Sequence, residues 1–270
     1  MNVEVAVIPA AGRGTRMRPA TRVVPKALIT VLDRPSIQYA VEEAARAGAS
    51  EAIIVVDLDA GHMVQQHFLG EGRLPGLEHV RVRPVIQEEA FGLGHAVFEA
   101  REAVGDRPFF CLLADNIVHP GHDVLPALAA AANTQSSVVC LRQLTDEFLG
   151  RYGVIVPGTA LSSEVLEVLG AVEKPGAAAA PSRLGLIGRY LFTPEIFDVL
   201  EKTQPGVGGE IQLTDAIDEV ARRGHCRGFI ADRDLLDVGT PAGLLEATVH
   251  LGLDRFGDGF RRMLAGLVER

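Results

Sequence analysis

The chain has 270 residues, 47% of them hydrophobic, and a formal net charge of -9; that is enough apolar material for one large α/β domain with its own core. An acidic chain does not spread positive charge over a whole face, which argues against a nucleic-acid binder, and no apolar run approaches the roughly 18 residues of a membrane span. Cys111, Cys140 and Cys226 are far apart without a C-x-x-C spacing, so neither a disulfide framework nor a zinc ribbon is expected, and the chain reads as an unprocessed protein of a reducing cytoplasm.

Val3 to Pro9 is a short apolar run that ends in Ala-Ala-Gly, the pattern of a buried parallel strand feeding a loop. In "RPSIQYAVEEAARAGA", Ile37, Ala40, Val41, Ala44 and Ala45 recur at helical spacing, with Pro35 suited to the first turn and Gly48 to the end. The alternation continues with a strand at 51–57, a helix at 60–69, a strand at 79–86, a helix at 93–103 and a strand, "FFCLLAD", at 109–115. Such alternation predicts right-handed crossovers and a mostly parallel sheet with helices on both faces. Between 150 and 190 the pieces "YGVIV", "VLEVLGAVEKP" and "LGLIGRYLF" are shorter and β-like, broken by the low-complexity "GAAAAPS" at 176–182; they predict a small antiparallel insertion and a mobile loop. Helical pattern returns at 195–202 and 211–223, "RGFIAD" and "LLDVGTP" supply late strands, and two helices at 241–253 and 257–268 finish the chain. Phe256, Phe260, Met263, Leu264 and Leu267 share helical spacing on the last of these, which suits core packing or a subunit contact.

The stretch "IPAAGRGTRMRPATRVVPKAL" gathers Arg13, Arg16, Arg18, Arg22 and Lys26 and holds no acid. A glycine-rich turn after the first strand of such a sheet lies where open α/β folds bind ligands, and its N–H groups with nearby arginines suit a small phosphate-bearing anion. The two familiar phosphate motifs do not match: the dinucleotide fingerprint has Gly12 and Gly14 but Met17 in place of its third glycine, and no G-x-x-x-x-G-K-[ST] loop is present.

"PAAGRGTRMRPAT" followed by "PKALITVLDRP" resembles the signature of the sugar-1-phosphate nucleotidylyltransferases, most closely the bacterial UTP–glucose-1-phosphate uridylyltransferases and their glucose-1-phosphate thymidylyltransferase relatives. "GLGHAV" (92–97), "LLADN" (112–116), "VEKP" (172–175), the run from 188 to 217 and "LLDVGTP" (235–241) match in the same order, so the resemblance spans essentially the whole chain. It implies a Rossmann-like α/β fold of the nucleotide-diphospho-sugar transferase type, one domain over 1–270. The nucleotide half would run to about 120, the sugar half with the insertion from 121 to about 240, and the C-terminal helices over 241–270.

The implied reaction joins a nucleoside triphosphate to a sugar-1-phosphate, most closely UTP to glucose-1-phosphate, with release of pyrophosphate. Such chemistry rests on alignment and charge neutralisation. By resemblance Arg16 holds the β- and γ-phosphates and Lys26 the transferring phosphate, while Lys174 contacts the sugar-1-phosphate. Ala11, Gly12, Gly14 and Thr15 form the nucleotide loop, and Gln87 with Gly92 reads the base, since a glutamine amide pairs with the imide edge of uracil or thymine. Asn116, Gly153, Glu173 and Gly188 surround the sugar. Asp115 and Asp237 would hold Mg²⁺, which favours hard oxygen ligands and few protein groups. Relatives also imply a homo-oligomer, a dimer or tetramer.

The chain also departs from its relatives. Phe91 stands where uridylyltransferases carry lysine before "GLGHA", Glu88 and Glu89 acidify the same segment, and Asn116 is closer to the thymidylyltransferases. Another triphosphate such as dTTP or GTP with a specialised sugar or cyclitol phosphate therefore remains open, as does a non-catalytic nucleotide-sugar binding subunit. His95 reads as structural, and His119, His122 and Asp123 in "HPGHD" as a solvated turn rather than a metal site.

Overall fold

The computed structural model describes residues 1–70, 72, 74–231 and 235–269. Strand β1 (Val5–Pro9) leads through a long loop to the short hairpin β2 (Thr30–Val31) and β3 (Arg34–Pro35) and then to helix α1 (Ser36–Arg46). Ala6 and Ile8 pack on one side of β1, and Val5 and Val7 on the other. This strand is apolar throughout because both of its faces are covered. β4 (Glu51–Val56), α2 (Leu58–Leu69), β5 (Arg81–Ile86), α3 (Leu93–Phe98), α4 (Arg101–Val104) and β6 (Phe109–Leu112) follow, and β5, β4, β1 and β6 lie side by side in parallel. Helix α2 starts two residues before the expected point because Asp57 caps it, its carboxylate accepting from Ala60 N at 2.8 Å.

The second half supplies β7 (Asn116–Val118), α5 (Leu125–Ala131), β8 (Ser137–Gln143), β9 (Val154–Ala160), β10 (Val165–Val172) and β11 (Leu184–Phe192). After these come α6 (Glu195–Leu200), α7 (Leu213–Arg222), β12 (Cys226–Ile230), β13 (Leu235–Asp237) and α8 (Pro241–Val268). Among the described residues the main sheet has nine strands in the order β5-β4-β1-β6-β11-β8-β12-β10-β9. α1, α2 and α5 pack on one face, and α3, α4, α6 and α7 on the other. This is the expected α/β architecture with helices on both faces.

Several boundaries differ from the sequence reading. The antiparallel strands are continuous with the main sheet: β11 lies between β6 and β8 and runs antiparallel to both. The helix expected over 93–103 is broken at Glu99 and Ala100 into α3 and α4. The strand expected to reach 115 stops at Leu112, because Leu113 N turns to the Gly188 carbonyl and Asn116 N to that of Leu113; Asp115 is thereby freed from the sheet. At the C-terminus the two expected helices meet at a left-handed kink at Gly257, φ 61°. In "GAAAAPS" residues 177–179 form a turn, and Ala180 packs on the small cluster of Leu144, Leu149 and Val154. The late strand read as "RGFIAD" is β12 as far as Ile230, and Asp232 lies outside the described residues.

Candidate active site

Two cavities open at the C-terminal end of the parallel strands. The larger, about 600 Å³, is bordered by the loop after β1, the turn before α3 and the start of the segment after β6. Ala11, Gly12, Gly14, Thr15 and Lys26 line it, together with Gln87 and Gly92. The loop conformation needs its second glycine: Gly14 is left-handed (φ 57°), and a Cβ there would come within 2.8 Å of Thr21 Cγ2. The Thr21 hydroxyl donates to the Gly14 carbonyl at 2.8 Å and fixes the turn. A Cβ on Gly12, by contrast, would meet no protein atom within 4 Å and would project into open space. Gly92, φ 108°, is hemmed in by Glu210 Cβ at 2.7 Å and the Ile211 carbonyl at 2.9 Å from a built Cβ, so the 91–94 segment docks closely on the segment before α7. Gln87, 5% exposed, points its amide nitrogen at the Gly92 carbonyl.

The smaller cavity, about 220 Å³, is lined by Arg16, Asn116, Gly153, Glu173, Lys174 and Asp237 among others. Leu93, Leu113 and Asp115 border both cavities. Arg16, expected beside the nucleotide, thus faces the smaller cavity, while Gly208, Gly209 and Glu210 from the second half of the chain line the larger one. Gly188 lines neither. Its φ is +76°, and a Cβ there would lie 2.7 Å from Asn116 Nδ2 and 2.9 Å from Leu113 Cδ1, so its smallness seats Asn116 from behind.

At the junction, Lys26 Nζ donates to Asp115 Oδ2 at 2.5 Å. The β7–β13 pair, with Asp237 opposite Asn116 and Val238 N donating to the Asp115 carbonyl, brings Asp237 to the same place. Gly239 marks their meeting point: a Cβ on it would lie 2.8 Å from Asp237 Oδ1, 3.2 Å from Lys26 Nζ and 3.3 Å from Asp115 Oδ2. Two carboxylates with hard oxygens beside one lysine suit Mg²⁺, which keeps waters and substrate oxygens in the rest of its shell. No cluster of three or more His, Cys, Asp or Glu residues able to hold a metal occurs among the described residues. His119 pairs with Asp254, and Asp123 with Arg46, which makes "HPGHD" a tethered turn.

In the smaller cavity Glu173, 9% exposed at its side chain, is held by Lys174 Nζ at 2.5 Å and by the Thr214 hydroxyl at 2.6 Å. Lys174 is left-handed, φ 46°, a costly conformation for a side chain of its length and one concentrated at functional turns. Gly153 is small because a Cβ would sit 2.7 Å from Thr214 Oγ1. Burial pushes the Tyr152 phenol pKa up, and Asp237 and Asp115 add to the shift; Tyr152 therefore stays a neutral hydroxyl beside the carboxylates.

Behind the junction, Arg189 is 1% exposed. It donates to Glu43 Oε2 at 2.9 Å, to the Leu113 carbonyl at 3.1 Å and to the Asn116 carbonyl at 2.5 Å, so it grips the loop carrying Asp115 at both ends. Burial raises the Glu43 pKa while Arg189 opposes the rise. The sequence reading missed Thr214, Gly239, Arg189 and Glu43. A lone arginine inside the apolar run "LGLIGRYLF" was the available signal for Arg189, and the glycine two residues after Asp237 was the signal for Gly239; Thr214 and Glu43 carried none.

The nucleotidyl transferase family model matches residues 5–252. The UTP–glucose-1-phosphate uridylyltransferase 2 of Staphylococcus saprophyticus is 39% identical over 93% of this chain and 92% of its own length. A UDP-glucose pyrophosphorylase complexed with UDP-glucose superposes with a TM-score of 0.84 at 34% identity, covering 92% of this chain and 97% of that one. A UTP-bound enzyme of the same kind from Acinetobacter baumannii superposes with a TM-score of 0.82 at 31% identity, covering 98% and 99%.

Proposed function

The chain belongs to the nucleotidyl transferase family, and we propose that within it the reaction is the joining of UTP and glucose-1-phosphate to give UDP-glucose and pyrophosphate. The observation that carries this reading is Asp115, one carboxylate that borders both cavities, pairs with Lys26 and lies beside Asp237. A transfer between two bound anions needs such a junction, because the attacking phosphate and the attacked one meet there.

In this reading the larger cavity takes UTP. Its loop, Ala11 to Thr15, offers backbone N–H groups to phosphate oxygens, and Gln87 with the Gly92 backbone faces the uracil. The smaller cavity takes the sugar phosphate: Glu173, Asn116 and the backbone at Gly153 meet the hydroxyls, and Lys174 and Arg16 meet the phosphate. Gly188 acts through Asn116. A phosphate oxygen of glucose-1-phosphate attacks the α-phosphorus of UTP, a new P–O bond forms, and the bond to the bridging oxygen of pyrophosphate breaks. Lys26 neutralises the charge building on the transferring phosphate. Asp115 and Asp237 would hold Mg²⁺, which when bound supplies charge neutralisation that two carboxylates and a lysine do not.

We further place the protein in the cytoplasm, on the ground that Cys111, Cys140 and Cys226 are free and buried, with the thiols of Cys140 and Cys226 pushed up to about 12 by burial. No described helix is long and apolar enough to cross a membrane. Phe256, Met263 and Leu267 on α8 are more than half exposed, which supports a homo-oligomer, dimer or tetramer, assembled through this helix; sedimentation equilibrium reads its mass directly.

The test is pyrophosphate release with Mg²⁺, crossing UTP, dTTP, GTP, ATP and CTP against glucose-1-phosphate and a panel of other sugar and cyclitol phosphates. Fastest turnover with UTP and glucose-1-phosphate is expected. A better pair would replace these substrates, and silence with every pair would favour a binding subunit.

A further inference from the structure

We infer that His95 and Glu99 are positioning residues that fix the orientation of the Gln87 amide and, through it, the enzyme's preference for a base with an imide N–H; the inference rests on the UTP reading above. Gln87 Nε2 lies 3.3 Å from the Gly92 carbonyl and 2.8 Å from His95 Nδ1. A carbonyl oxygen only accepts, so the NH₂ end of the amide must lie on that side. His95 Nδ1 faces the same NH₂ and therefore accepts as well, which puts the ring proton on Nε2. That nitrogen is 3.1 Å from Glu99 Oε1, one helical turn along, and a carboxylate there holds the proton in place. Glu99 thus sets the tautomer, the tautomer holds the amide together with the Gly92 carbonyl, and the amide is left with its oxygen to offer.

Gln87 Oε1 has no hydrogen-bond partner among the described residues and is not one of their fully buried polar atoms, and Gln87 lines the larger cavity. An acceptor at that point suits the N3–H of uracil or thymine. Cytosine would bring a lone pair to it, two acceptors would face each other, and a buried polar group would go unsatisfied. Phe91 completes the arrangement. Its ring stands edge-on to the imidazole, centroids 5.3 Å apart at 89°, and covers His95 without bringing a donor that would compete for Nδ1. Phe91 therefore has a place in this relay.

The experiment compares the full-length wild-type enzyme with His95→Phe and Glu99→Leu, measuring kcat and KM for UTP, dTTP, CTP, GTP and ATP at saturating glucose-1-phosphate, and the KM for glucose-1-phosphate at saturating UTP. The UTP-over-CTP ratio of kcat/KM is expected to fall about tenfold in His95→Phe, the effect of one misplaced hydrogen bond, and about threefold in Glu99→Leu. The loss should lie in the KM for UTP, with the KM for glucose-1-phosphate unmoved, a split that general loosening of the fold would not give. Glu99 is partly exposed, so its variant carries the test if His95→Phe does not fold. A wild-type preference for a purine triphosphate would overturn the UTP reading itself. A wild-type preference for UTP that both variants retain in full would leave that reading standing and overturn the role given to His95 and Glu99.

Discussion

The two cavities share Asp115 but are built in opposite ways. The larger is bounded mainly by backbone and small residues, with Gly12 leaving open space and Gly14 and Gly92 held in left-handed turns that no larger residue could adopt without strain. The smaller is bounded by side chains whose hydrogen bonds are already taken: Glu173 with Lys174 and Thr214, and Asn116 with the Ile187 carbonyl. A cavity of backbone donors recognises what every nucleoside triphosphate has in common, its phosphates. A cavity of paired side chains must exchange its internal hydrogen bonds for those of a ligand, and that exchange is where selectivity for a sugar arises.

Removing the shared group should have the largest effect. Asp115→Ala is expected to lower kcat by at least about 10³-fold, with a melting curve close to that of the wild type and no rescue by excess Mg²⁺; near-normal turnover would separate the two cavities and undo the comparison. Arg189→Met takes away the grip behind that group and leaves Glu43 buried without its partner. A loss of about 3–5 kcal/mol in chemical denaturation is expected, and a loss below 1 kcal/mol would mean the guanidinium is not needed to hold the loop. Gly239→Ala sharpens the point at the junction itself: its methyl would crowd Asp237, Lys26 and Asp115, so kcat should fall about 10²-fold through misplacement while stability barely moves, since the crowded atoms are side-chain ends. Glu173→Gln, confined to the smaller cavity, should raise the KM for glucose-1-phosphate about tenfold through one weakened charge-assisted hydrogen bond and leave the KM for UTP alone. An equal change in both constants would show that the cavities do not divide the substrates.

This asymmetry also decided what could be read in advance. The loop after β1 and the turn at Gly92 are local: a few consecutive residues carry the glycines that the conformation demands, and the motif is visible in the chain. The strand–helix alternation was legible for the same reason, since burial of both sheet faces imposes an apolar run on each parallel strand. Thr214 lies 41 residues from the Glu173 it bonds, and Arg189 lies 146 residues from Glu43; no spacing in a single sequence announces such pairs. The end of β6 at Leu112 was also invisible, because the turn that frees Asp115 is fixed by the Gly188 carbonyl of a strand far along the chain.

By itself, then, the sequence determined the layered α/β architecture, the glycine-dependent loop and the identities of the charged groups, all of which depend on residues close together in the chain. Only the tertiary structure decided that Arg16 faces the smaller cavity, that Gly208 to Glu210 close the larger one, and that Asp115, Asp237 and Lys26 converge around Gly239. Those placements follow from the pairing of β7 with β13 and from the insertion of β11 beside β6. Strand pairing of that kind is set by which distant apolar faces bury one another, a choice made by the folded core as a whole.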